Sequence, residues 1–161
     1  PRRFRRSMIF TMFDKSAAFA AILDQVRPSD RSGRELRQEA MEALDTLPTY
    51  DWSGIYRLEG ETLHLDAYVG AHTDHTAIPV GVGVCGTAVA EDANQVIDDV
   101  RELTNYLACS LHTRSEIVVL IRQNDKVLGQ IDIDGHQVGA FDATDEEFLT
   151  ELGEILASRW D

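Results

Sequence analysis

Helical patterns at both ends of the chain, two strand–turn–strand units between them, and a length suited to one hydrophobic core predict a single domain of helices plus antiparallel sheet. Asp14 to Val26 (DKSAAFAAILDQV) has helical content, and Pro28 marks its end. Ser32 to Leu47 makes a second helix. Its apolar positions Leu36, Ala40, Met41, Ala43, Leu44 and Leu47 recur at three- and four-residue spacing, and Pro48 closes it. Trp52 to Leu58 and Thr62 to Val69 read as a hairpin around Gly60-Glu61, with Leu63, Leu65, Ala67 and Val69 placed on one face. Gly70 to Thr76 is polar and loop-like, a candidate lid. Ala77 to Val80 is a short strand leading into a glycine turn, and Gly86 to Glu91 is a small helix. Gln95 to Asp98 is a brief strand, and Asp99 to Thr113 is irregular or partly helical. Ser115 to Gln123 and Val127 to Asp134 form the clearest hairpin. The last helix spans Thr144 to Trp160, with Thr144 as N-cap and Glu147 three residues on, a capping-box pattern.

Composition bounds the function classes. The net charge of −13 is unevenly spread. Residues 1–40 hold 9 Lys/Arg and 5 Asp/Glu, a net of +4; the other 121 residues hold 6 and 23, a net of −17. So acidic a body repels nucleic acid. Residues 1–11, with Arg2, Arg3, Arg5 and Arg6, read as a basic arm, disordered or left from an upstream segment, and residues 12–161 as the domain. No apolar run reaches the roughly 20 residues that span a membrane. Two cysteines, without a recognisable secretion signal, fit a reducing cytoplasm rather than a disulfide scaffold.

The chemistry concentrates between Ala77 and Asp134. Register in the second hairpin decides much of it. A two-residue loop at Asn124-Asp125 pairs Glu116 with Ile133 and places a carboxylate on an apolar face. A three-residue loop, Asn124-Asp125-Lys126, pairs Glu116 with Asp134 and Val118 with Asp132. Side-chain alternation makes the two exclusive, and the second sorts apolar from acidic residues. It brings Glu116, Asp132 and Asp134 to one face, where like charges repel. Such a face calls for a bound ammonium, a metal ion or raised pKa values.

Gly81, Gly83 and Gly86 match a dinucleotide-binding string, but no long buried strand precedes them and the helix that follows is short. What remains is a tight turn whose amides at a helix start attract an anion. Cys85 lies where that helix start favours the thiolate, and its apolar neighbours equally suit an inert buried thiol. Cys109, in Leu107-Ala-Cys-Ser110, is the better nucleophile candidate as a loop thiol. His72-x-x-His75 with Asp74 has unspecific metal-ligand spacing and reads as surface histidine. Tyr50, Trp52 and Tyr56 suit either a pocket wall or ordinary core.

Five stretches, Asp51-Trp-Ser-Gly-Ile-Tyr56, Ile78-Pro-Val-Gly-Val-Gly-Val-Cys-Gly-Thr-Ala88, Ala108-Cys109, Ser115-Glu-Ile-Val118 and Gly129-Gln-Ile-Asp-Ile-Asp134, resemble the free methionine-(R)-sulfoxide reductases. These are small GAF-domain proteins, and the likeness runs from about Ser16 to the C-terminus. The resemblance implies an α+β fold, a central antiparallel sheet of about six strands with helices packed on one side and a ligand pocket on the other. It implies reduction of free methionine-(R)-sulfoxide, with Cys109 as the nucleophile that becomes a sulfenic acid, a second thiol that condenses with it, and thioredoxin with NADPH as the external reductant. Glu116, Asp132 and Asp134 match the carboxylates that hold the substrate ammonium and assist protonation of the sulfoxide oxygen. Trp52 matches the aromatic beside the substrate methyl, with Tyr56 near it, and the amides of Val82, Gly83, Val84 and Cys85 match the carboxylate cradle. No bound metal or cofactor is expected, and a homodimer paired through helices is a further implication. The chain departs from the family at His75, where a third, resolving cysteine is common, which leaves Cys85 or an external thiol to resolve. Leu120 follows Val119 where the family often has proline nearby. These departures admit a second reading, a catalytically impaired GAF domain that holds an amino-acid-like ligand as a sensor.

Overall fold

The computed structural model describes residues 13–107 and 110–161. The basic arm at 1–11 and Cys109 therefore lie outside the described residues. Among the described residues four α-helices, α1 (Lys15–Val26), α2 (Gly33–Leu44), α3 (Gly83–Glu91) and α4 (Ala143–Ala157), accompany six strands. The strands are β1 (Trp52–Glu59), β2 (Thr62–Val69), β3 (Ala77–Pro79), β4 (Gln95–Ile97), β5 (Ser115–Gln123) and β6 (Lys126–Gly135). They form one antiparallel sheet in the order β3-β2-β1-β6-β5-β4. This is the α+β architecture with a six-stranded central sheet that the resemblance implied.

Alternation splits the sheet into two faces with different work. Ile55, Ile117, Val119, Ile121, Ile131 and Ile133 point to α1, α2 and α4 and join their apolar stripes in one core. Leu149, Leu152 and Leu156 of α4 are fully buried there, and each contributes about 2 kcal/mol of burial. Phe19 of α1 stacks on Phe148 of α4 with ring centroids 4.1 Å apart. The opposite face carries Trp52, Tyr56, Leu63, Val118 and Leu120, covered by α3 through Val84, Cys85 and Ala88. Helices α1, α2 and α4 thus take one side for stability, and α3 covers the side that holds the site.

Four local expectations are corrected. Leu63, Leu65, Ala67 and Val69 do not share a face, because Asp66 is an unpaired bulge residue between the Tyr56–Leu65 and Ile55–Ala67 pairs. Leu63 and Leu65 therefore face α3, whereas Ala67 and Val69 face the large core. The buried Arg37 of α2 answers that bulge by donating from Nε to Asp66 Oδ2 at 2.5 Å, while its guanidinium lies 4.3 Å over the Trp160 ring. The β5–β6 turn is the two-residue type, with Asn124 and Asp125 both at positive φ and Gln123 opposite Lys126. A bulge at Leu128 adds one residue back, so Glu116 still faces Asp134 and Val118 still faces Asp132. Helix α4 is capped by Asp142, not Thr144, with Asp145 closing the capping box, and it ends before Trp160. Hydrogen bonds, from the Thr144 hydroxyl first, hold the Asp142 carboxyl down at about 2. Helix α2 stops at Leu44, and the chain turns through Pro48 into Tyr50. Asp145 is buried because three partners need it there, the Tyr50 hydroxyl at 2.8 Å, Lys15 Nζ at 2.7 Å and the Asp142 amide.

Candidate active site

Cross-strand pairing lays the site out as a grid on the face beneath α3. In one row Glu116 of β5, Asp134 of β6 and Trp52 of β1 lie side by side. The next row is Val118, Asp132 and Gly54, and the third is Leu120, Gln130 and Tyr56. Three acids and an amide thus project from the two central hairpin strands into a face that is otherwise apolar. All are buried: Asp132 and Gln130 are fully so, Asp134 is 2% exposed and Glu116 4%.

Gly54 is small for a reason. A Cβ there would lie 2.2 Å from Trp52 Cη2, so the indole lies flat along its own strand over Gly54, beside Asp132. Trp52 Nε1 donates to the Ala71 carbonyl at 3.1 Å, and the ring stacks on Tyr68 with centroids 5.8 Å apart. The Tyr56 hydroxyl donates to the His75 carbonyl at 2.9 Å. Two aromatics of the site face therefore hold the loop at 70–76 that the sequence marked as a lid. Gly54→Ala is expected to displace the indole, shift the intrinsic fluorescence and cost about 1–3 kcal/mol of stability by overpacking. Thermal melts and emission spectra check this, and an unchanged spectrum would show that Trp52 does not occupy that slot.

From the other side comes α3. It begins at Gly83, three residues earlier than the sequence suggested, which puts Cys85 in its first turn. Gly86 lets the helix seat against the incoming strand, since a Cβ there would lie 2.5 Å from the Pro79 carbonyl oxygen. The buried Cys85 thiol points down at the acids: Sγ donates to Asp132 Oδ2 at 3.2 Å and lies 4.0 Å from Glu116 Oε1. Two of the amides expected to take an anion have protein acceptors. Val82 donates to the Pro79 carbonyl at 3.1 Å and Gly83 to Asn105 Oδ1 at 3.4 Å. Val82 is 38% exposed, while Gly83 and Val84 are buried.

Burial dominates the electrostatics. It pushes the Asp132 carboxyl up, against hydrogen bonds from Glu116 and Cys85 that pull it down. Burial, reinforced by the Asp132 charge, holds Asp134 well above the usual carboxylate range. Acids this close cannot all ionise without a cation. Asp132 Oδ1 and Asp134 Oδ1 have no hydrogen-bond partner among the described residues. The face thus suits a cationic ligand that donates several hydrogen bonds, with apolar and aromatic walls around it. A thiol in contact with that ligand would add redox chemistry.

Of the residues named from sequence, the structure gathers Cys85, Glu116, Asp132, Asp134, Trp52 and Tyr56. His72 instead pairs with Asp74 at 3.2 Å on the surface, both side chains largely exposed. Gln130 went unnoticed in the sequence, yet neither of its side-chain polar atoms has a partner among the described residues. Its position two residues before Asp132, on the same alternation, was the available signal.

Residues 30–161 match the family described as the GAF domain. The free methionine-R-sulfoxide reductase of Escherichia coli (strain K12) is 39% identical over 108 residues, which cover 67% of this chain and 65% of that protein. The match thus spans just under two thirds of that relative's own length. The X-ray structure of free methionine-R-sulfoxide reductase from Neisseria meningitidis in complex with its substrate superposes with a TM-score of 0.87 at 30% identity, covering 97% of this chain and 96% of that one. The type II free methionine-R-sulfoxide reductase of Thermoplasma acidophilum gives a TM-score of 0.76 at 36% identity, over 86% and 94% of the two chains.

Proposed function

Because this chain belongs to the GAF-domain family of free methionine-(R)-sulfoxide reductases, we propose that it reduces free L-methionine-(R)-sulfoxide to methionine with thiol electrons. The observation that carries the reading is the buried triad of Glu116, Asp132 and Asp134 with the Cys85 thiol 3.2 Å from Asp132. A free amino acid brings the ammonium that such a face lacks, and a residue within a protein chain does not. Trp52 and Tyr56 wall the thioether end. The substrate carboxylate is assigned to the first turn of α3, Val82 to Cys85, where the Val82 and Gly83 amides exchange their present acceptors for it.

In the reaction the Cys109 thiolate attacks the sulfoxide sulfur while the acid cluster gives one proton to the S–O oxygen, and the hydroxyl so formed passes to the Cys109 sulfur as its bond to the substrate sulfur breaks. Methionine leaves, and Cys109 carries the hydroxyl as a sulfenic acid. The Cys85 sulfur then attacks the Cys109 sulfur, releasing water and forming a disulfide. An external dithiol of the thioredoxin kind, recycled by NADPH, returns both thiols, so the protein needs no bound cofactor. Cys109 lies outside the described residues, and its role rests on the resemblance. Among the described residues no helix is long and apolar enough to cross a membrane, and the proposed setting is a reducing cytoplasm.

The second reading, a sensor domain that binds an amino-acid-like ligand without turnover, is favoured by one feature. His75 stands at or near the place where a third cysteine is common in the family. NADPH consumption coupled through thioredoxin and its reductase separates the two. Turnover is expected with the R epimer and not with the S epimer. Methionine binding without release of methionine from either sulfoxide would leave only the sensor.

A further inference from the structure

We propose that Cys85, Glu116 and Asp132 form a thiolate–carboxylate site for a borderline divalent cation of the zinc type, and that the ion and an amino-acid ammonium exclude one another there. The exclusion rests on the reading above; the metal site does not. One ligand atom from each residue lies within 4.8 Å of the other two, and all three residues are buried. Cys85 Sγ lies 3.2 Å from Asp132 Oδ2 and 4.0 Å from Glu116 Oε1. A tetrahedral zinc ion, with bonds of about 2.3 Å to sulfur and 2.0–2.2 Å to oxygen, spaces neighbouring sulfur and oxygen donors by about 3.5 Å. Both sulfur–oxygen separations lie within about 0.5 Å of that figure.

A second observation points the same way. Asp132 Oδ1 and Asp134 Oδ1 are buried and have no hydrogen-bond partner among the described residues. Asp132 Oδ1 belongs to a ligand carboxylate, and Asp134 stands between Glu116 and Trp52 on the same face. These oxygens need donors or a positive charge, and a divalent ion supplies the charge in the smallest volume. The donor set also selects among ions. Sulfur beside two carboxylates favours zinc over magnesium or calcium, which prefer all-oxygen shells with more ligands. Three protein donors leave a further position at the ion. The sequence hides the set, because Glu116 and Asp132 lie 31 and 47 residues from Cys85.

The consequence is reversible control by metal: an occupied site has no room for the ammonium, and its thiol is held on the ion. The test titrates the full, reduced, metal-free chain with Co2+ as the spectroscopic probe and then with Zn2+. A thiolate-to-cobalt charge-transfer band is expected, discharged by Zn2+, retained in Cys109→Ser and lost in Cys85→Ser. Asp132→Asn, checked for folding by circular dichroism, is expected to weaken Zn2+ at least tenfold, and Cys85→Ser at least a hundredfold. Free L-methionine is expected to raise the apparent Kd for Zn2+. No band from the folded chain, or a band lost in Cys109→Ser and kept in Cys85→Ser, overturns the site. Sulfoxide reduction by the metal-free chain is measured separately, so either reading can fail while the other stands. Zn2+ binding unaffected by methionine would refute the exclusion.

Discussion

Cys109→Ser is expected to release no methionine from the R-sulfoxide, whereas Cys85→Ser releases one equivalent per chain and then stalls in the presence of thioredoxin. The first substitution removes the atom that attacks sulfur, and a loss of at least a thousandfold follows, because serine at neutral pH is a far weaker nucleophile. The second leaves the first half-reaction intact. Serine keeps a hydroxyl that can donate to Asp132, so the local hydrogen bond survives while the resolving sulfur is gone. In the wild-type chain that sulfur donates to Asp132 at 3.2 Å, which gives its proton a nearby acceptor when it turns to attack. Rapid-quench measurement of methionine, with chemical trapping of the sulfenic acid, checks both variants. Continuous turnover by Cys85→Ser with thioredoxin would show that the external thiol resolves Cys109 directly and would remove Cys85 from the cycle. A full burst from Cys109→Ser would remove the nucleophile assignment as well.

The division of the sheet into an apolar face and an acidic face was legible in the chain, because alternation in Glu116–Val119 and Gln130–Asp134 permits one register that keeps carboxylates together. The turn that delivers this register is not legible in the chain, for a physical reason. Asn124 and Asp125 both take positive φ, as a two-residue turn demands, and the Leu128 bulge absorbs the difference. Bulges leave no mark on composition, and the Asp66 bulge divides the side chains of β2 between the two faces in the same way. The α4 cap was missed because Asp142 and Thr144 are both good capping residues, and only backbone geometry separates them. The contact between Cys85 and the acids could not be read from spacing at all. It depends on α3 lying across the sheet, a tertiary fact set by the close approach of Gly86 to Pro79. Gln130 is not legible as a site residue, because an isolated amide in a strand has no motif to announce it.

Asp134→Asn is expected to make the ligand-free protein more stable while weakening its grip on the amino acid. Asp134 is 2% exposed, faces Glu116 across β5 and has one oxygen without a partner among the described residues. Burial first, then the charge on Asp132, raises its pKa. A carboxyl whose folded pKa lies above its unfolded value near 3.8 supports the fold fully below that value. Its support is lost as pH rises through the raised folded pKa, because the unfolded chain then ionises more readily than the native one. Asparagine has no proton to lose, so the gain should be absent in acid and appear towards neutral pH. A relief of about 1–2 kcal/mol would raise Tm by roughly 2–8 °C in a domain of this size. Binding should move the other way. A hydrogen bond from an ammonium to a carboxylate contributes about 1.5–3 kcal/mol, so methionine affinity should fall about tenfold to a hundredfold. Calorimetric melts across pH, paired with titration of methionine, read both effects on one preparation. A variant less stable than wild type at neutral pH would mean that Asp134 is ionised and compensated in the free protein, and that its charge supports the fold. Stability gained with affinity unchanged would place the ammonium on Glu116 and Asp132 alone. A gain in stability with a loss of affinity is the signature of a residue whose charge is tolerated by the fold and required by the ligand.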